Sequence, residues 1–211
     1  MAGVYEILIL GSVASSLLAA VIAIQAFRAY WFTKRRYLQN FVLGFFLLAI
    51  SYYLLAFGLQ PIGRLEISPG FEWPRLVVQT TAFGLIASSY YSKDRKGERF
   101  LFAGLAVFGL LALVYVLSQQ PPNGGLDPYA YLVDTILSVY VFAKAAQAYR
   151  REGKKEHRFA VLGFGLLALG QYTWLIRSLD GGNASFLFAN SIRVAGLAII
   201  AASFLLFRRH D

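Results

Sequence analysis

The sequence contains no cysteine, a single methionine at position 1, two histidines and four asparagines in 211 residues. Without cysteine, disulfide, thiol-redox and thiolate–metal chemistry are excluded. The scarcity of oxidisable and deamidating side chains is the bias expected of a thermophile's protein. His157 and His210 both fall in basic segments outside the apolar runs, so no haem or zinc ligand is expected within a membrane. No carboxylate pair, nucleophile–base pair or phosphate-loop glycine pattern is evident, so no enzyme, cofactor or metal is expected. Charge is also scarce: 15% of the residues are charged against 58% hydrophobic, with a mean hydropathy of +0.56. A soluble domain of this length would carry far more charge, so the class is all-α integral membrane protein.

Spanning a bilayer takes about 20 mostly apolar residues in a helix. Such runs lie at Tyr5–Phe32, Asn40–Gly58, Pro74–Ser92, Phe100–Ser118, Pro128–Tyr149, Phe159–Ile176 and Ala184–Phe207, predicting seven transmembrane helices. All six prolines (Pro61, Pro69, Pro74, Pro121, Pro122, Pro128) fall in predicted loops or at helix starts, so the helices should be straight, with Pro74 and Pro128 at first helical positions. The first span lacks a basic leader and is expected to be a mature helix, not a cleaved signal.

The chain repeats itself. Val42-Leu43-Gly44-Phe45-Phe46-Leu47-Leu48-Ala49 returns as Val161-Leu162-Gly163-Phe164-Gly165-Leu166-Leu167-Ala168. The same register, without a gap, sets Ala26, Ala29 and Tyr30 on Ala145, Ala148 and Tyr149, and Leu18 on Leu137. After a short loop shift, Ile86-Ala87 with Ser89 matches Ile200-Ala201 with Ser203. The organisation expected is a three-helix repeat at residues 1–94, a connector helix at 95–120 and a second repeat at 121–211. Phe100–Leu117 has no polar side chain before Tyr115, as suits a lipid-facing connector. One extra crossing between two three-helix units makes the repeats parallel.

The net charge of +9 is placed by topology and not by a nucleic-acid partner. Fifteen of the twenty Lys/Arg fall around residues 28–36, 93–99, 150–158 and 208–209, all on one predicted side. The other side carries Arg64, Arg75 and Arg177. The positive-inside rule then puts the amino terminus outside and the carboxyl terminus in the cytoplasm of a prokaryotic cell membrane. The sequon Asn183-Ala184-Ser185 falls in an outer loop.

Asp134 is the only acidic residue well inside a predicted span, ~9 Å below its outer end, and Arg193 lies ~13 Å down its own. Buried ionisable groups face the bundle and pair, so Asp134 is expected to meet Arg193, with Arg177 near the mouth. Asp134 aligns with Ser15 and Arg193 with Gln79, so both charges belong to one half. An outward-opening pocket among the last three spans would be lined by Asp134, Arg193, Gln171, Tyr172, Trp174, Asn190 and Arg177. The competing reading is an ion pair that only fixes helix packing. Tyr52 and Tyr53 are read as aromatic packing, Lys144 as a snorkelling side chain and Gln25 as an interhelical hydrogen bonder.

Seven helices as three plus one plus three, amino terminus outside, resemble the SWEET sugar transporters and related nicotinamide-precursor transporters. The count and orientation also resemble the microbial rhodopsins. The repeat unit, Ala145-x-x-Ala148-Tyr149-Arg150-Arg151 followed by Val161-Leu162-Gly163-Phe164-x-Leu166-Leu167-Ala168, is similar to uncharacterised archaeal membrane proteins. These resemblances imply a small-solute transporter. Alternatives are a ligand receptor or sensor acting through a cytoplasmic protein on the basic loops, and a structural subunit. The last predicted helix has no lysine to carry retinal, so a light-driven pump is not expected. The bilayer, an unidentified small molecule, and a second copy or a cytoplasmic protein are the expected partners.

Overall fold

A computed structural model describes residues 2–62, 64–67, 69–90, 127–153, 155–180 and 183–206. Among them are six helices: α1 (Ala2–Thr33), α2 (Arg36–Gly58), α3 (Pro69–Ser89), α4 (Asp127–Glu152), α5 (Lys155–Asp180) and α6 (Asn183–Leu206). A two-stranded antiparallel hairpin, β1 (Leu59–Ile62) and β2 (Arg64–Ile67), joins α2 to α3. All the helices except α3 are long and apolar enough to cross a membrane, which makes this a multi-pass membrane protein. The predicted span at Phe100–Ser118 and the 95–120 connector lie outside the described residues, which carry six of the seven expected helices.

Two local expectations are corrected. The segment after α2 was expected to be a loop, yet it pairs Leu59 with Ile67 and Pro61 with Leu65. Arg64-Leu65-Glu66-Ile67 alternates polar and apolar residues, the period of a strand. Leu59 and Ile67 turn into the bundle and are buried, so the hairpin closes that end. In addition, α3 starts at Pro69, so Pro74 sits inside the helix and not at its first position. Its missing N–H falls at an exposed position near the start, where the unserved Gly70 carbonyl belongs to an exposed residue.

The helices close into a ring in chain order, α1 to α6, with α6 returning to α1. Neighbours within α1–α3 and within α4–α6 are antiparallel and in extensive contact. The two joints between these groups are parallel. Along α1 and α6, Leu8 meets Asn190 and Ser15 meets Arg193; along α3 and α4, Arg75 meets Tyr131 and Gln79 meets Asp134.

In lipid, close packing and polar contacts hold helices together more than hydrophobic transfer does. Glycine supplies the close approach at two aligned positions. A Cβ on Gly44 would stand 2.9 Å from the Ala82 carbonyl of α3, and one on Gly163 would stand 2.9 Å from the Gly196 carbonyl of α6. The turns at the basic end also correspond. Lys34 and Gly153 both adopt positive φ, 52° and 65°, and donate their N–H to the Tyr30 and Tyr149 carbonyls at 2.7 and 2.8 Å. This is the left-handed residue that ends many helices, cheap for glycine and strained for lysine.

Two apolar clusters fill the ring. At the hairpin end Leu8, Leu55, Leu59, Leu76, Trp174 and Phe186 pack together. At the basic end lie Phe41, Phe45, Leu48, Phe83, Phe164, Leu167 and Ile200. Phe45 and Phe164, aligned in sequence, meet each other with ring centroids 6.3 Å apart.

Candidate functional site

Between the two apolar clusters lies a layer of buried polar side chains from all six helices. It comprises Ser12 and Ser15 of α1, Ser51 and Tyr52 of α2, and Arg75, Gln79 and Thr80 of α3. Tyr131 and Asp134 of α4, Gln171 of α5, and Asn190 and Arg193 of α6 complete it. Helical spacing explains the placement: Arg75 and Gln79, Tyr131 and Asp134, and Asn190 and Arg193 are three or four residues apart and share a face. A polar group buried in hydrocarbon must find a partner inside the protein.

Gln79 anchors one side of the layer. Its Oε1 accepts from Arg75 Nη1 at 3.2 Å and from Ser51 Oγ at 3.4 Å. Its Nε2 donates to Asp134 Oδ2 at 2.6 Å and to Gln171 Oε1 at 3.1 Å. One carboxamide therefore links a buried guanidinium to a buried carboxylate. The second amino group of Arg75 donates to the Tyr131 hydroxyl. The Thr80 hydroxyl neighbours the carboxylate without a well-formed bond to it.

Arg193 anchors the other side. Its Nε donates to Ser15 Oγ at 3.2 Å, and its Nη2 donates to Ser12 Oγ at 3.4 Å and to Asn190 Oδ1. Its guanidinium carbon lies 4.4 Å from the centroid of the Tyr52 ring, a cation–π contact. Asn190 Nδ2 donates in turn to the Leu8 carbonyl at 3.3 Å.

The expected Asp134–Arg193 ion pair is not formed. Each residue meets a different helix: Asp134 is held by α3, and Arg193 by α1 and α2. From sequence, these two charges stand deepest in the predicted spans, which is what pairs them there. The earlier start of α3 puts Arg75 inside as well, wholly buried, and supplies Asp134 with a nearer cation through Gln79.

Of the other sequence candidates, Gln171 and Asn190 join the layer and the rest do not. Trp174 belongs to the apolar cluster at the hairpin end, stacked on Tyr131 at 5.5 Å and edge-on to Phe186 at 4.8 Å. Arg75 and Arg177 both lie 5.2 Å from the Trp174 ring, and Arg177 also caps Phe186 at 4.1 Å. Tyr172 points away from the ring, half exposed, onto a shallow groove of about 540 Å³ between α5 and α6 that Phe188 and Ile176 also line. The layer thus draws on both halves of the chain, not on the last three helices alone, and aromatic residues cover it where an outward opening was expected.

No protein-family model matches this chain. No curated protein and no solved structure matches it either.

The residues of the layer that sequence reasoning left out are Ser12, Ser15, Ser51, Tyr52, Arg75, Gln79, Thr80 and Tyr131. One signal could have found Ser12, Ser15, Tyr52, Gln79 and Tyr131. Asp134 aligns with Ser15 and Arg193 with Gln79, and the contacts Gln79–Asp134 and Arg193–Ser15 each join the third helix of one group to the first helix of the other. By the same register Gln171 aligns with Tyr52 and Tyr131 with Ser12. Gln79 touches Asp134 and Gln171; Arg193 touches the aligned Ser15 and Tyr52. Among the described residues, no group of three or more His, Asp or Glu is disposed to hold a metal ion.

Proposed function

We propose that this protein is a small-solute transmembrane transporter, without catalytic activity, that handles its solute in the central polar layer. The observation that carries this reading is the closed layer itself. Three wholly buried charges and their polar partners, drawn from every described helix, lie between an aromatic closure on one side and a phenylalanine–leucine closure on the other. Ionisable residues at this depth are costly, and they are found lining solute and ion routes. A pure packing device would need one matched pair; here the charges are spread around the ring.

The corresponding contacts support two parallel three-helix repeats related by an axis through the layer. Gly44 and Gly163, Lys34 and Gly153, and the two sides of the polar layer correspond in turn. The Lys/Arg clusters support an extracellular amino terminus and a cytoplasmic carboxyl terminus in a prokaryotic cell membrane. With that orientation Trp174, Tyr131, Phe186 and the hairpin form the outer closure, and Phe45 with Phe164 the inner one. Alternating access would open each in turn, by one repeat moving against the other.

The test is uptake into liposomes containing the purified protein, across a panel of labelled small metabolites, with Gln79→Leu beside the wild type. Flux that saturates with solute, and is lost in Gln79→Leu protein that still unfolds cooperatively and so is folded at the assay temperature, is the expected result. Binding without flux would favour a receptor or sensor, and neither binding nor flux a structural subunit.

A further inference from the structure

The buried charges are not balanced. Asp134 and Arg75 offset each other across Gln79. Arg193 has no such counter-ion: its partners are two hydroxyls, an amide and the face of Tyr52, all uncharged. Asp134 is the only carboxylate among the buried described residues, and it is held on the opposite side of the layer. A guanidinium shut in hydrocarbon without an anion is an expensive arrangement.

Two polar atoms mark where an anion would go. Arg193 Nη1 has no hydrogen-bond partner, and neither does the Tyr52 hydroxyl. Both side chains are essentially fully buried, and they touch each other. The neighbouring Ser15 hydroxyl is no anion and is already engaged, donating to the Gly11 carbonyl at 2.8 Å and accepting from Arg193 Nε. Around Arg193 there are thus unused donors and no anion; the one carboxylate oxygen of the layer without a partner, Asp134 Oδ1, belongs to the group held by Gln79 of α3.

We propose that Arg193 and Tyr52 form the binding half-site for the anionic group of the transported solute, a small monovalent carboxylate. This rests on the transport reading and narrows its substrate class. A carboxylate offers two oxygens in one plane, one for the guanidinium nitrogen and one for the phenol, and the charge-assisted bonds are the strong kind. The corresponding position on the other side holds Gln79 against Asp134, a site already carrying its own carboxylate. Repulsion there confines the layer to one anion and gives the solute a defined orientation. Arg193 is thus the counter-ion, and Tyr52 the residue that selects a hydrogen-bond acceptor beside it.

The experiment is thermal unfolding of the purified full-length protein at constant ionic strength, with sodium acetate and lactate compared against acetamide and lactamide, their neutral analogues. Carboxylates should raise the unfolding temperature saturably and the amides should not. Arg193→Gln should abolish the shift. Because Arg193→Gln could also weaken the fold, Tyr52→Phe is the sharper variant. It removes a hydroxyl that bonds to nothing in the free protein, so its stability without ligand should match the wild type while carboxylate binding weakens by about tenfold. If the amides shift the protein as far as the carboxylates, or Tyr52→Phe binds carboxylate like the wild type, the anion assignment is overturned while solute handling stands. If no solute of any charge shifts the protein and liposomes show no flux, both readings fall together.

Discussion

Replacing Gln79 by leucine should be among the most damaging single changes in the bundle. Leucine is similar in size but returns nothing to Arg75 Nη1, Asp134 Oδ2 and Gln171 Oε1, while the fourth partner, Ser51, keeps its bond to the Arg75 carbonyl at 3.3 Å. Two of these are ions. Hydrogen bonds to charged groups contribute about 1.5–3 kcal/mol each and neutral ones about 1, which sums to roughly 4–7 kcal/mol. In membranes the denatured helices find other partners, and measured bonds average only about 0.6 kcal/mol, which sets a lower bound near 2 kcal/mol. The upper part of the range is expected, because a fully buried carboxylate and guanidinium are left facing each other without their bridge. The assay is reversible unfolding in mixed micelles, run as a double-mutant cycle with Asp134→Leu. In that background the carboxylate is already gone, so Gln79→Leu should cost less by about 1.5–3 kcal/mol, the coupling of one charged bond. A Gln79→Leu protein within about 0.5 kcal/mol of wild type, or a cycle that is simply additive, would refute the reasoning. The layer would then be hydrated, with water replacing the lost bonds.

Other outcomes follow from features elsewhere. Gly163→Ala and Gly44→Ala should each weaken the fold and loosen the α5–α6 or α2–α3 contact, because the new methyl meets a backbone carbonyl 2.9 Å away and cannot be relieved by a rotamer change; unfolding midpoints check this. Lys34→Gly should stabilise the protein by up to about 1 kcal/mol, because the backbone there is left-handed like that of Gly153, and an unchanged or lowered midpoint would count against the strain argument. Phe164→Ala should cost about 3–5 kcal/mol and make liposomes leaky to small solutes, since it removes half of the ring pair closing the layer at the basic end.

Much of the architecture could be read in the chain. Apolar runs located five spans because length and composition carry that signal directly, and Asp127-Pro128 marked the start of α4. What could not be read was azimuth: hydropathy says that a polar residue lies deep but not which neighbour it faces. Asp134 and Arg193 were therefore paired by elimination, whereas the ring puts a helix of the other group beside each. Arg75 was missed for a different reason. It stands one residue after Pro74, and a helix started at that proline leaves Arg75 at the surface; starting at Pro69 carries it inside. Tyr52 reads from sequence as aromatic packing, and Ser12 and Ser15 carry no signal of their own, since a hydroxyl's partner is invisible without its neighbour. Yet the alignment of Asp134 with Ser15 and of Arg193 with Gln79 already contained the two true pairs.

The two kinds of helix contact have a mechanical consequence. Where glycine seats one backbone on another, at Gly44 and Gly163, neither sliding nor separation is tolerated, and each three-helix group should behave as a stiff plate. The parallel joints are made in the polar layer by the tips of long side chains, Gln79 and Arg75 on one and Arg193 and Asn190 on the other, which can exchange partners as they shift. Deformation of the ring should therefore collect along those two lines, as bending does along the creases of a folded sheet. The residues that stitch the creases would be the first to register the strain.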